Sequence, residues 1–308
     1  MKSKFAMVVS GILLTLTGTA IAGNDAPIKI GVLAKRGADK CLSKWTPTAE
    51  YLSEKMGRKV VIQPLKFDAV PTFIKSGKVD FFLVNSSMYC DMKEQFGGNA
   101  VASLVNKRQD KTVSEFAGVI FVKADSPIKT LEDVKGKRFA CVKKSSFGGY
   151  QMAKRLLQDH GIDPEKDCSA FKEAGTHDKV VQLVEKGVAE VGTVRSDTLE
   201  RMAAEGKCKL SDFRILNQQE DKFPFVHSTQ LYPEWPIASC KKTDSALAQQ
   251  LAQALKDMPA DSPAAKSAKC VGWSDPLDYS EVRQCLVDIK YGVFADKKTD
   301  VAAVKDEG

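Results

Sequence analysis

Several patterns are missing from these 308 residues, and each absence removes a class of function. None of the eight cysteines stands in a C-x-x-C pair, so a dithiol redox motif, a C-x-x-C-H haem site and a zinc-finger spacing are all absent. No serine sits in G-x-S-x-G, and no cysteine adjoins a histidine, the usual general base, which leaves no recognisable hydrolase nucleophile. No block of Lys and Arg with interleaved aromatics occurs, so nucleic acid is not the expected partner. Beyond Ala22 there is no apolar run approaching the roughly 20 residues a spanning helix needs, so the mature chain is not expected to insert in a membrane. Neither cofactor, metal nor catalytic residue is expected.

What is present begins at the N-terminus. Lys2 and Lys4 precede the apolar run Phe5 to Leu16, and small residues then end in Ala20-Ile21-Ala22. That is the pattern of a secretory leader cleaved after Ala22, leaving a free, soluble, exported chain. Loss of Lys2 and Lys4 takes the formal charge from +7 to +5, a modest excess that suits a small anionic ligand. All eight cysteines lie in the mature part, where an oxidising compartment allows disulfides. Cys41 with Cys90 and Cys141 with Cys168 are the candidate bridges, and free buried thiols are the alternative.

The mature length suits two domains. Ile28 to Ala34, Lys59 to Leu65 and Val79 to Val84 read as strands, alternating with helices over about Thr46 to Lys55 and from Pro71. Strand and helix alternate again from Arg138 to Ala204, after a polar break at Lys123 to Pro127. Phe116 to Val122, Phe213 to Leu216 and Val226 to Leu231 read as further strands, and Tyr279 to Lys290 as a late helix. This rhythm predicts an α/β protein of two lobes, each a mostly parallel sheet flanked by helices. The second lobe, 125–215, is inserted in the first, 23–124 and 216–308. Two hinge crossings near 123–126 and 215–225 would let the lobes close on a ligand. A monomer is expected.

Loops after strand ends carry the candidate site, because open α/β sheets bind ligands at that edge. Ser145-Ser146-Phe147-Gly148-Gly149 joins a strand to a helix and offers N–H donors at a positive dipole end; it also reads as an ordinary serine cap. His177, in Gly175-Thr176-His177-Asp178, can donate to an anion or simply cap a helix. Arg195 follows a strand and can fork two N–H bonds onto an oxyanion, or serve a salt bridge. In the first lobe, Arg36, Asn85 and Ser86 supply donors, while Trp45 and Tyr89 supply walls or packing.

The stretches KRGADKCLSKWTPTAEYL, SSFGGYQMA, GTHDKVV, VGTVRSDTLERM, STQLYPEWP and GWSDPLDY together resemble the phosphate/phosphite/phosphonate-binding periplasmic protein family. Within it they are most like the periplasmic sensing domains of tetrathionate-type sensor histidine kinases. The resemblance implies a type II periplasmic binding-protein fold and a small oxyanion, of phosphorus or sulfur, held between the lobes. It places the family's hydroxyl cluster on Ser145 and Ser146, its ligand-facing histidine on His177 and its first-lobe aromatic contact on Tyr89. Phe147 stands where phosphonate binders carry a hydroxyl, and Thr193 and Arg195 stand where they carry an acid. Both departures point to a less protonated oxyanion than phosphonate. The implied partner is an ABC importer permease or, as the alternative, a membrane sensor kinase.

Overall fold

The computed structural model describes residues 26–295, so the leader with its cleavage after Ala22 lies outside the described residues. Strand β1 (Ile28–Leu33) is a nearly unbroken apolar run, as a strand covered on both faces requires. It pairs in parallel with β2 (Val60–Leu65) on one side and β3 (Phe81–Leu83) on the other. Helices α1 (Ala38–Met56) and α2 (Val70–Lys75) make the crossovers, and α3 (Ser86–Phe96) follows β3. Strands β4 (Asn99–Arg108) and β5 (Lys111–Val113) form a hairpin, and β6 (Glu115–Phe116) leads the chain out of this sheet.

The second sheet comprises β7 (Gly118–Lys123), β8 (Arg138–Cys141), β9 (Ala170–Glu173), β10 (Val191–Arg195) and β11 (Phe213–Leu216), in the order β11-β7-β10-β8-β9. Helices α4 (Met152–Asp159), α5 (Pro164–Asp167), α6 (His177–Glu185) and α7 (Thr198–Ala204) cover it. The chain returns through β12 (Tyr232–Pro233) to β13 (Pro236–Ser239) in the first sheet. It ends with α8 (Ser245–Lys256), α9 (Pro263–Ala268), β14 (Cys270–Ser274) and α10 (Ser280–Asp288). The first sheet runs β14-β4-β13-β3-β1-β2, with β5 beside β4. Between the lobes, β6 and β12 pair antiparallel, Phe116 opposite Tyr232, so both connections share one short ribbon.

Five expectations are corrected. The sheets are mixed rather than mostly parallel, because β13, β4 and β14 add antiparallel pairs to the first and β7 and β11 to the second. The strand at 118–123 belongs to the second sheet, not the first lobe, since it pairs with β10 and β11. The first crossing therefore falls at 114–117, and the second runs on to Trp235. Residues 226–231 form no strand; Ser228 and Thr229 instead use their hydroxyls to accept from the Ile120 and Gly118 N–H groups. Helix α1 starts at Ala38 and carries Pro47 inside it, because burying Cys41, Trp45, Ala49 and Leu52 on one face outweighs the lost hydrogen bond.

The expected disulfides are absent, and all eight cysteines are free. Cys41 packs with Ile30 and Trp45 on one face of the first sheet, while Cys90 lies with Phe82 and Tyr279 on the other. In the second sheet Cys141 stands opposite Glu173, five residues beyond Cys168. That offset is roughly 16 Å at about 3.3 Å per strand residue, outside the roughly 4.4–6.8 Å a bridge requires. Among the described residues no helix is long and apolar enough to cross a membrane.

Candidate functional site

A cavity of about 160 Å³ opens where the first sheet, α1 and the hinge meet β10. Its first wall is the turn after β1: the Gly37 N–H returns to the Ala34 carbonyl at 3.0 Å, and Gly37 adopts a φ of 95° that few other residues tolerate. The turn presents Lys35 and Arg36, and the first turns of α1 add Lys40, Cys41, Lys44 and Trp45 at helical spacing. Strand β4 supplies a second wall, since Leu104, Asn106 and Arg108 alternate onto one face. Arg195 closes the cavity from the second lobe, and Glu234 and Trp235 from the hinge.

Charge dominates this space. Lys35, Arg36, Lys40, Lys44, Arg108 and Arg195 line it, and Glu234 is the one carboxylate among its lining residues. Glu234 is fully buried and both its oxygens are engaged by the Arg195 guanidinium, one of them at 3.3 Å. Arg195 also contacts Asp197 at 3.3 Å and stacks on the Phe116 ring, 4.2 Å from its centroid. Burial works against both ionised groups, but their mutual attraction prevails and holds Glu234 below the ordinary carboxylate range and Arg195 above its usual value. The fork that the sequence offered to a ligand is thus occupied by an internal counter-ion.

Arg108 faces Asp197 at 3.7 Å, whereas Lys35, Arg36, Lys40 and Lys44 have no carboxylate among the lining residues bound to them. Lys35 keeps exposed surface and lies 4.7 Å from the Trp235 ring centroid. The protein around its ammonium, together with Arg108, Arg195, Lys44 and Arg36, pulls its pKa well down. Lys44, over the Trp45 ring, is pulled down to about 8, first by burial and then by Arg108. His177 accepts the Arg195 backbone N–H at Nδ1, 3.2 Å away. Burial and the neighbouring cations Lys35, Arg195 and Arg36 hold its pKa well below 6.5. A neutral ring accepting at Nδ1 carries its proton on Nε2, so His177 offers one donor.

Arg36, Trp45 and Arg195 line the cavity, and His177 touches its edge through Arg195. Ser145 and Ser146 are half-buried at the start of the π-helical turn Phe147–Gln151 and are not among the lining residues. Phe147 is buried between Phe116 and Tyr232, with centroids 5.9 and 4.9 Å away, so it plugs the hinge. Gly148 and Gly149 serve packing: a Cβ would lie 2.9 Å from Phe116 on the first and 2.5 Å from Val142 on the second. Asn85 caps α3 by accepting from the Met88 N–H at 2.9 Å. Ser86 donates to the Pro233 carbonyl at 2.6 Å, tying α3 to the hinge. Tyr89 packs on Tyr279, centroids 5.0 Å apart, and its hydroxyl accepts from Ala100, away from the cavity. Lys40, Lys44, Asn106 and Arg108 were not singled out from sequence, whereas Lys35 lies in the loop marked after the first strand and Glu234 and Trp235 in the stretch STQLYPEWP. A polar pair at alternate positions of an apolar strand was the one signal that marked Asn106 and Arg108.

Comparison with known proteins gives three findings. The family described as the periplasmic substrate-binding protein of phosphonate ABC transporters matches residues 30–280. The tetrathionate sensor histidine kinase TtrS of Salmonella typhimurium is 31% identical over 263 residues, covering 85% of this chain and 43% of the kinase. The chain therefore spans under half the length of that relative. Among solved structures, XAC2383 from Xanthomonas citri bound to ATP aligns with a TM-score of 0.70 at 20% identity, over 86% of this chain and 98% of that one. PhnD1 from Prochlorococcus marinus in complex with methylphosphonate aligns at 0.65 and 14% identity, over 85% and 98%. These two carry the fold: a two-lobed, type II periplasmic binding-protein architecture.

Proposed function

We infer a function from one premise: the chain belongs to the periplasmic substrate-binding protein family of phosphonate ABC transporters. In the periplasm, freed of a leader ending at Ala22, it captures a small oxyanion between its lobes and presents it to a membrane partner. The observation that carries this reading is the charge of the cavity, in which six cations face a single carboxylate already engaged by Arg195. Cations held in a partly desolvated space gain most from an anion that enters it.

The same balance supports a ligand class. A singly protonated phosphonate needs an acceptor for its proton, and Glu234, the one carboxylate among the lining residues, is already turned onto Arg195 with both oxygens. A strong-acid oxyanion, ionised without help, suits the site better. Trp45, Trp235, Leu33 and Leu104 add apolar walls, and about 160 Å³ is roughly ten times the 10–15 Å³ one water requires. A sulfur oxyanion with a polarisable body meets both conditions. Lys35, Arg36 and the Nε2–H of His177 are its proposed donors at the mouth. Ser145 and Ser146 would reach it from the second lobe on closure about the β6–β12 ribbon.

The partner is an ABC permease on the family assignment. The likeness to the sensing portion of TtrS supports a second reading, a sensor subunit docking on a membrane histidine kinase. In either case the ligand leaves unchanged and the protein works as a monomer. A thermal-shift screen with tetrathionate, thiosulfate, sulfate and methylphosphonate tests the core of the proposal. A ligand at 100 times its Kd should stabilise by about 2.7 kcal/mol, with sulfur oxyanions ahead of methylphosphonate. A melting temperature unmoved by all four would sink the anion reading. Ligand-dependent capture by a solubilised permease or by a sensor kinase separates the two partners.

A further inference from the structure

Asn106 is 1% exposed, on strand β4 between Leu104 and Arg108, and its side chain faces the cavity. Its backbone is well used: it pairs opposite Val113 on one side and Cys270 on the other. Its amide is not. Neither Oδ1 nor Nδ2 makes a hydrogen bond of good geometry. The amide lies near enough to Glu234 to help keep that carboxylate ionised. Yet both carboxylate oxygens are held by Arg195, and the Trp235 N–H reaches one of them at 3.4 Å. A buried amide whose Oδ1 has no partner, and whose Nδ2 has at most a poorly aligned approach to a carboxylate already held by Arg195, costs stability, and an apolar residue of the same shape would avoid that cost. Leu104, one alternation away on the same row, shows that the wall accepts an apolar side chain. The Arg108 Nε, one alternation the other way, is buried too, without a hydrogen bond but 3.7 Å from the Asp197 carboxylate.

We propose that Asn106 is a ligand-positioning and specificity residue, its amide donating to an oxygen of the bound anion from the floor of the cavity. The inference rests on the anion-binding reading above and adds a division of labour to it. The six cations attract any anion, whatever its shape. An uncharged donor at a fixed point contributes only when an oxygen stands opposite it, so Asn106 distinguishes an oxyanion of matching geometry from charge alone. Arg195, whose fork holds Glu234, instead fixes the hinge side of the same space.

The test compares wild type, Asn106→Leu and Asn106→Asp by melting temperature and by calorimetry with tetrathionate, thiosulfate and methylphosphonate. Asn106→Leu should melt higher than wild type without ligand and bind the best probe at least tenfold more weakly. A structural asparagine would give the opposite pair, a lower melting temperature and unchanged affinity. Undiminished affinity at any melting temperature overturns the proposal. Should Asn106→Leu not fold, Asn106→Asp keeps the shape and places a carboxylate at the same point. It should lose at least tenfold, and equal binding by that variant overturns the proposal as well. If wild type binds none of the probes, the anion reading itself fails and this inference with it; if only the variants match wild type, the anion reading stands and this inference alone falls.

Discussion

Arg195 illustrates how far a single residue can be read from sequence. Its position at a strand end was legible, and so was its capacity to fork onto an oxyanion. Glu234, 39 residues later, was invisible as its partner because only the hinge brings the two together. Glu234 is fully buried, so removing Arg195 leaves its carboxylate without its hydrogen-bonded counter-ion. Arg195→Ala should therefore destabilise by about 3–5 kcal/mol, measured by urea denaturation of the ligand-free protein. A loss under about 1 kcal/mol would mean that Glu234 finds another counter-ion. The paired change Arg195→Met with Glu234→Leu should recover most of the loss, since Arg108, 3.7 Å from Asp197, remains as the counter-ion of that carboxylate.

Lys44 gives the residue scale a pH signature. Its folded pKa of about 8 lies below the roughly 10.4 of an unfolded lysine. Between those values the unfolded chain binds more protons, so the contribution of Lys44 to stability rises with pH across that window. Below pH 8 it is charged in both states and its burial is a standing cost. Lys44→Met should thus raise the melting temperature most at pH 7, and its advantage over wild type should shrink toward pH 10. Binding of a sulfur oxyanion should weaken as pH rises through 8 in wild type but not through this group in Lys44→Met. Calorimetry at pH 7 and 9 on both proteins checks the sign.

At the scale of elements, the parallel β1–β2–β3 unit was plain from apolar runs and helical spacing, while β4 was missed. Its sequence, Asn99 to Arg108, mixes polar and apolar residues because one of its faces lines a charged cavity. The beginning of α1 was placed late because Pro47 reads as a helix start, and burial of the face that carries Cys41, Trp45, Ala49 and Leu52 overrides it, with Trp45 packed on Trp273. The glycines at 148 and 149 were read as donors for an anion, but neither has a positive φ and both are enclosed. Gly149→Ala should cost about 1–3 kcal/mol through overpacking against Val142 and the Ser146 hydroxyl. The same denaturation experiment, with anion affinity measured alongside, separates packing from binding: a stable variant that binds poorly would restore the loop to the site.

At the scale of the whole molecule, two lobes were legible from the restart of the strand–helix rhythm. The true crossing points were not, since a strand such as Gly118–Lys123 looks the same whichever sheet recruits it. The even cysteine count misled for a similar reason: buried thiols and bridged ones share an apolar setting. Burial pushes the Cys90, Cys141 and Cys285 thiols up to about 12, which keeps them protonated and slow to oxidise. Reductant should leave the melting temperature unchanged, and eight thiols should titrate once the chain is denatured. Fewer than eight would reveal a bridge.

The chain has three tryptophans, and all of them stand on the first-lobe side: Trp45 and Trp273 beside one another, and Trp235 at the end of the hinge. Two of the three indoles form the cavity wall, and each has a lysine ammonium 4.7 Å from its ring centroid. An entering anion must redistribute those ammonium charges, so the emission of the protein carries an optical record of occupancy. The second lobe contributes no indole background to that signal. Fluorescence of the unlabelled protein therefore follows the first-lobe wall by itself, and a single dye on the second lobe would test for a lobe movement apart from it.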